Sequence, residues 1–169
     1  MTRKGVIITA TASAVFLLDR LTKVLVGRIL APGDSMPVLG GFFDLTHVHN
    51  RGAAFGIFSF ADDSFRTPFL VLSAAAAIAV LVYFIMKTRP QDTLMLFALA
   101  LIIGGAAGNL VDRLYYGYVI DFIDWYVGRY HWPAFNIADS GITAGILLMG
   151  IEVLVRGKTA GGEKRRTEG

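Results

Sequence analysis

TLMLFALALIIGGAAGNLV, residues 93–111, carries no charged side chain, and Asp112 and Arg113 close it. Its length is close to the ~20 residues that cross a ~30 Å hydrocarbon core as a helix. Residues 69–86, FLVLSAAAAIAVLVYFIM, repeat the pattern. With 54% hydrophobic residues and a mean hydropathy of +0.58, the chain reads as one integral membrane domain. It has no cysteine, which removes disulfides, thiolate nucleophiles and thiolate metal sites. The net charge of +3 is a matter of topology and gives no nucleic-acid signal.

Outward from these runs, the spans are expected at about 6–30, 66–86, 93–112 and 139–155, so that residues 1–155 form the domain. Residues 156–169, rich in Gly, Lys, Arg and Glu, are expected to be a disordered basic tail. The apolar start could be a signal peptide. No small-x-small cleavage site follows it directly, so a membrane anchor fits better. Arg3 and Lys4, Lys87 and Arg89, and the tail's basic residues fall on one side of a four-span bundle. The positive-inside rule makes that side cytoplasmic and puts both termini there.

The segment before the second span holds two extended runs, Met36 to Leu39 and Phe42 to Val48, around Gly40 and Gly41, as in a short hairpin. Asn50-Arg51-Gly52 follows and reads as a turn. Gly104, Gly105 and Gly108 give the third span a small-residue face for close helix packing. The opposite membrane face then collects Asp112, Asp121, Asp124 and Asp139. Carboxylates at a bilayer boundary are costly and tend to be functional.

Asn109, Asp112 and Arg113 share a face near the end of the third span. Asn136 and Asp139 stand three apart at the start of the fourth, where they also fit a capping box. Asp121 lies between, among Val119, Ile120 and Phe122. Two close carboxylates share one proton, so one can activate water while the other polarises a carbonyl. Asp139, in the first turn of a helix, is expected to be the ionised partner. Asp121 is the expected proton carrier.

Other readings compete. Asp19 and Lys23, four apart, read equally as a structural ion pair or as support for the site. Asp112 with Arg113 reads as a local ion pair, and Asp124 as an interfacial surface acid that spacing alone does not separate from the pair. His47 and His49 lie on one strand face and form the single pair with metal-ligand spacing, but no HExxH motif accompanies them. Ser140 has no base nominated beside it. A small transporter or proton relay is the alternative function, although acids gathered at one face suit a surface site better.

The ordered blocks Asp19-Arg20-Leu21-Thr22-Lys23, Asn50-Arg51-Gly52-Ala53-Ala54-Phe55, Gly108-Asn109-Leu110-Val111-Asp112-Arg113, Val119-Ile120-Asp121-Phe122 and Phe135-Asn136-Ile137-Ala138-Asp139 resemble those of signal peptidase II, the bacterial lipoprotein signal peptidase. The resemblance implies four transmembrane helices with a small extracytoplasmic β-cradle in the inner membrane, the active site facing the periplasm or cell exterior. It implies an aspartic endopeptidase that cuts before the lipidated cysteine of diacylglyceryl-prolipoproteins and is inhibited by globomycin. The implied dyad is Asp121 and Asp139, with Asp19, Lys23, Asn50, Gly52, Asn109, Arg113 and Asn136 lining or supporting it. No metal or other cofactor is expected. Arg113 and Asn50 are expected to clamp substrate carbonyls, and Phe55 to belong to a flap. Membrane lipids are expected partners, and the chain is expected to be a monomer. Ile120 stands where the family would lead one to expect valine.

Overall fold

In the computed structural model, residues 2–52, 58 and 62–167 are described, the side chains of 156–167 excepted. The order is α1 (Arg3–Ile29), β1 (Ser35–Leu39), β2 (Phe43–Asn50), α2 (Asp63–Lys87), α3 (Thr93–Tyr116), β3 (Val119–Val127), β4 (Tyr130–His131) and α4 (Ile137–Thr167). Four helices are long and apolar enough to cross a membrane, α4 over Ile137–Val155. The helical backbone of α4 then continues to Thr167, where the sequence suggests an unstructured tail.

Helix α3 is the hub, packing against α1, α2 and α4. Leu96, Ala98, Leu99 and Ala100 are almost fully buried along it. Helix α2 buries little and leaves Leu72, Val80, Tyr83 and Met86 exposed, as a lipid-facing surface would. The small residues let the backbones approach. A Cβ on Gly104 would lie 2.6 Å from the carbonyl oxygen of Ala12, and one on Gly105 would collide with the carbonyl of Ala138. This is the expected small-residue face, aimed at both α1 and α4.

Helix ends differ slightly from expectation, for local reasons. Helix α2 starts at Asp63 because Asp62 accepts a hydrogen bond from the Ser64 amide at 3.0 Å. Pro68 falls in its second turn. Helix α3 runs one turn further, to Tyr116, and stops where Gly117 takes φ +76°, a left-handed value that suits glycine. At that helix's other end, Lys4 Nζ donates to the carbonyls of Thr88 (2.8 Å) and Met86 (3.3 Å). The start of α1 and the turn after α2 thus sit together.

The strands form an antiparallel sheet of order β1-β2-β3-β4. The hairpin β1–β2 is the expected one, with Gly41 at φ +86° in its turn. In β2–β3, Leu45 pairs with Ile123 and Val48 with Asp121. Three steps on β2 therefore match two on β3, a bulge at Thr46–His47. Because side chains alternate along a strand, this extra residue turns Asn50 to the same face as Asp121.

Replacing Gly105 by valine is expected to lower stability by about 1–3 kcal/mol through backbone overpacking. Gly150, with open space beyond it, should accept alanine without loss. Thermal unfolding in detergent micelles checks both.

Candidate active site

The site lies where α1, α3, β3 and the start of α4 meet. Its base is Lys23, almost fully buried. Its ammonium lies 2.8 Å from Asp19 Oδ2, 2.7 Å from Asp112 Oδ2 and 3.0 Å from Asn109 Oδ1. Three N–H donors thus meet three acceptors. Arg20 pairs with the other oxygen of Asp112. Two cations and two carboxylates balance, which makes burial of the group tolerable. Both carboxylates also hold backbone: Asp19 Oδ1 accepts from the Ala138 amide (3.0 Å) and Asp112 Oδ2 from the Ile120 amide (3.3 Å).

Asn109 carries this order upward. Its Oδ1 receives Lys23, and its Nδ2 donates to Asp139 Oδ1 at 2.8 Å. The capping box at the start of α4 is formed: Asp139 N donates to Asn136 Oδ1 (2.9 Å) and Asn136 N donates to Asp139 Oδ2 (3.2 Å). The same Asn136 donates through Nδ2 to Asp121 Oδ1 at 2.7 Å. Capping and site-building are one arrangement here.

Asp121 Oδ2 accepts from Asn50 Nδ2 at 2.9 Å, and Asn50 Oδ1 accepts from the Gly52 amide at 3.0 Å. The Gly52 carbonyl receives Arg113 Nη2 at 3.3 Å, and Arg113 Nη1 reaches the Asn109 carbonyl at 3.5 Å. A closed ring of hydrogen bonds results, running Asn109, Asp139, Asn136, Asp121, Asn50, Gly52, Arg113 and back. All nine site residues expected from the sequence lie on this ring or on the ion cluster beneath it. Asp121 is 2% exposed. Burial, reinforced by the charge of Asp139, pushes its carboxyl up to about 7.

Several expectations change. Asp112 pairs with Lys23 and Arg20, not with its neighbour Arg113. Adjacent helix positions point about 100° apart, so the two cannot face each other. Arg20 belongs to the cluster although its spacing gives no partner; its place in the block with Asp19 and Lys23 is the signal for it. Asn50 is occupied with Asp121 and Gly52 rather than poised as a clamp. Arg113 keeps its buried Nε without a hydrogen-bond partner among the described residues. Asp124 binds His131 Nδ1 at 2.9 Å and sits opposite Asp44, away from the ring. Ser140 Oγ donates to the Asn136 carbonyl at 3.0 Å. Phe55 lies outside the described residues. No group of three or more His, Asp or Glu side chains that could hold a metal occurs among the described residues.

Residues 11–155 match the family model described as Signal peptidase (SPase) II. The chain belongs to the signal peptidase II family. A lipoprotein signal peptidase of Syntrophus aciditrophicus is 42% identical over 158 residues, 94% of this chain and 98% of that one. One of Paraburkholderia phymatum is 47% identical over 145 residues, 86% of each. A solved bacterial membrane enzyme matches with a TM-score of 0.79 at 35% identity, covering 87% of both chains. Family and fold together make this chain a multi-pass membrane aspartic peptidase.

Asp121 titrates at an ordinary carboxylate pKa when unfolded and near 7 when folded. Between those values the folded state holds the extra proton, so this group's contribution to stability falls as pH rises. Asp121→Asn, which cannot ionise, should unfold at a higher temperature than the wild type at pH 8, with the gap closing towards pH 4. Melting curves across pH measure this.

Proposed function

We propose that Asp121 and Asp139 are the catalytic pair of this signal peptidase II and that it removes the signal peptide of diacylglyceryl-prolipoproteins before the lipidated cysteine. One observation carries the assignment: Asn136 is bonded to both residues, donating to Asp121 and exchanging two bonds with Asp139. A side chain held this way fixes the two carboxylates relative to each other, which general acid–base catalysis requires.

In the resting pair Asp121 carries the proton and Asp139 is ionised. Asp139 stands in the first turn of α4, where the helix N-terminus favours negative charge, and it is less deeply buried than Asp121. Water gives a proton to Asp139 as its oxygen bonds to the scissile carbonyl carbon. Asp121 gives its proton to the carbonyl oxygen. The resulting tetrahedral diol collapses as Asp139 passes its proton to the leaving nitrogen and Asp121 recovers one. No covalent enzyme intermediate is needed. Asn109 holds Asp139 in place through its bond to Oδ1, and Lys23 in turn holds Asn109.

A substrate anchored by acyl chains diffuses in the membrane plane, so it reaches a site at the bilayer boundary from the side. The basic segments at both ends and in the turn after α2 support termini in the cytoplasm and a ring at the periplasmic or outer face. Globomycin-type cyclic peptides inhibit this activity, and the chain acts as a monomer.

Asp121→Asn and Asp139→Asn should each reduce cleavage of a diacylated prolipoprotein at least ~1,000-fold while the protein still inserts and folds. Asp124→Asn should cleave within about two-fold of wild type. Gel-based processing assays on purified protein read all three. Substantial cleavage by either dyad variant removes the assignment.

A further inference from the structure

His47 and His49 have no part in the ring of hydrogen bonds around the dyad, yet they are arranged with care. They sit at i and i+2 on β2, and their Nε2 atoms face each other at 3.3 Å. His47 is buried, and its Nδ1 lies 2.9 Å from the Leu30 carbonyl at the end of α1. A carbonyl can only accept, so Nδ1 carries the proton and Nε2 presents a lone pair. His49 stacks on Tyr118, with centroids 3.9 Å apart and planes at 19°, which fixes its ring as well.

The spacing discriminates between two uses of such a pair. A straight N–H···N bond 3.3 Å long would place the ring centroids about 5.6 Å apart, and a good bond would be shorter, at about 3.0 Å. The centroids are 5.0 Å apart. Two imidazoles bound through Nε2 to one tetrahedral ion at about 2.05 Å have nitrogens about 3.3 Å and centroids about 5.2 Å apart. The observed pair fits the second geometry better. The Nδ1–H···O=C bond of His47 is also the arrangement that orients metal-binding histidines.

We propose that His47 and His49 form a two-histidine site for a divalent transition-metal ion of the Zn²⁺ class, its remaining positions open to water. Imidazole nitrogen selects such ions over Mg²⁺ or Ca²⁺. On binding, His49 shifts its proton from Nε2 to Nδ1, so no net proton is released. Arg51 is the nearby positive charge opposing the ion; it is exposed, and water screens it. The ion would tie β2 more firmly to the end of α1, one residue before Asn50. This inference is independent of the catalytic assignment.

The test uses tag-free, chelator-stripped protein in detergent, titrated with ZnCl₂ and separately with MgCl₂. Zn²⁺ should bind with a single ion per chain and raise the thermal midpoint by several degrees, while Mg²⁺ has no effect. His49→Phe keeps the stack on Tyr118 and should lose the Zn²⁺ response. His131→Gln, at the chain's third histidine, should retain it. Should His49→Phe fold poorly, ¹⁵N spectra of the wild type decide: Zn²⁺ should move the Nε2 signals of His47 and His49 and leave His131 in place. Wild type that ignores Zn²⁺, a response kept by His49→Phe, or a shift confined to His131 would overturn the site.

Discussion

A buried ammonium sets the terms for this structure. Lys23 has no access to water, so each of its three N–H bonds must end on a protein acceptor, and it takes them from Asp19, Asp112 and Asn109. Such a charge is tolerated only as part of a balanced, hydrogen-bonded set. The set reaches well beyond α1. Through Asp19 it grips the start of α4, through Asp112 the start of β3, and through Asn109 the carboxylate of Asp139. Helices α1, α3 and α4 could pack by small residues alone. It is the ion cluster that fixes their heights relative to one another, and so the position of both aspartates.

Above the cluster, polar side chains do two tasks each. Asn136 caps α4 and binds Asp121; Asn50 closes a turn and binds Asp121; Arg113 holds that turn against α3. A ring built this way leaves little freedom to the two carboxylates, with Asp121 almost fully buried and Asp139 half-buried. Burial raises the affinity of Asp121 for its proton, which suits an acid that must remain protonated near neutral pH. The proposed chemistry therefore follows from placement, with the electrostatics as a consequence.

Much of this was legible in the sequence, because lipid imposes simple rules. Charge-free runs of bilayer length announce helices, and Asn136 with Asp139 announces a helix start. Strand β3 was less legible. Val119, Ile120, Asp121 and Phe122 are all buried, so the segment lacks the alternation that marks a half-exposed strand. The Arg20–Asp112 pair joins residues 92 positions apart, and the adjacent Arg113 offered a nearer partner that helix geometry rules out. The bulge at Thr46–His47 is a matter of register between strands, which no single segment encodes.

The proposed chemistry needs a protonated Asp121 beside an ionised Asp139. The pH dependence of kcat/KM for a diacylated prolipoprotein tests it most directly, since that quantity reports ionisations of the free enzyme. The rate should fall on the alkaline side through about pH 7, where Asp121 loses its proton. A rate that climbs steadily from pH 6 to pH 9 would contradict it.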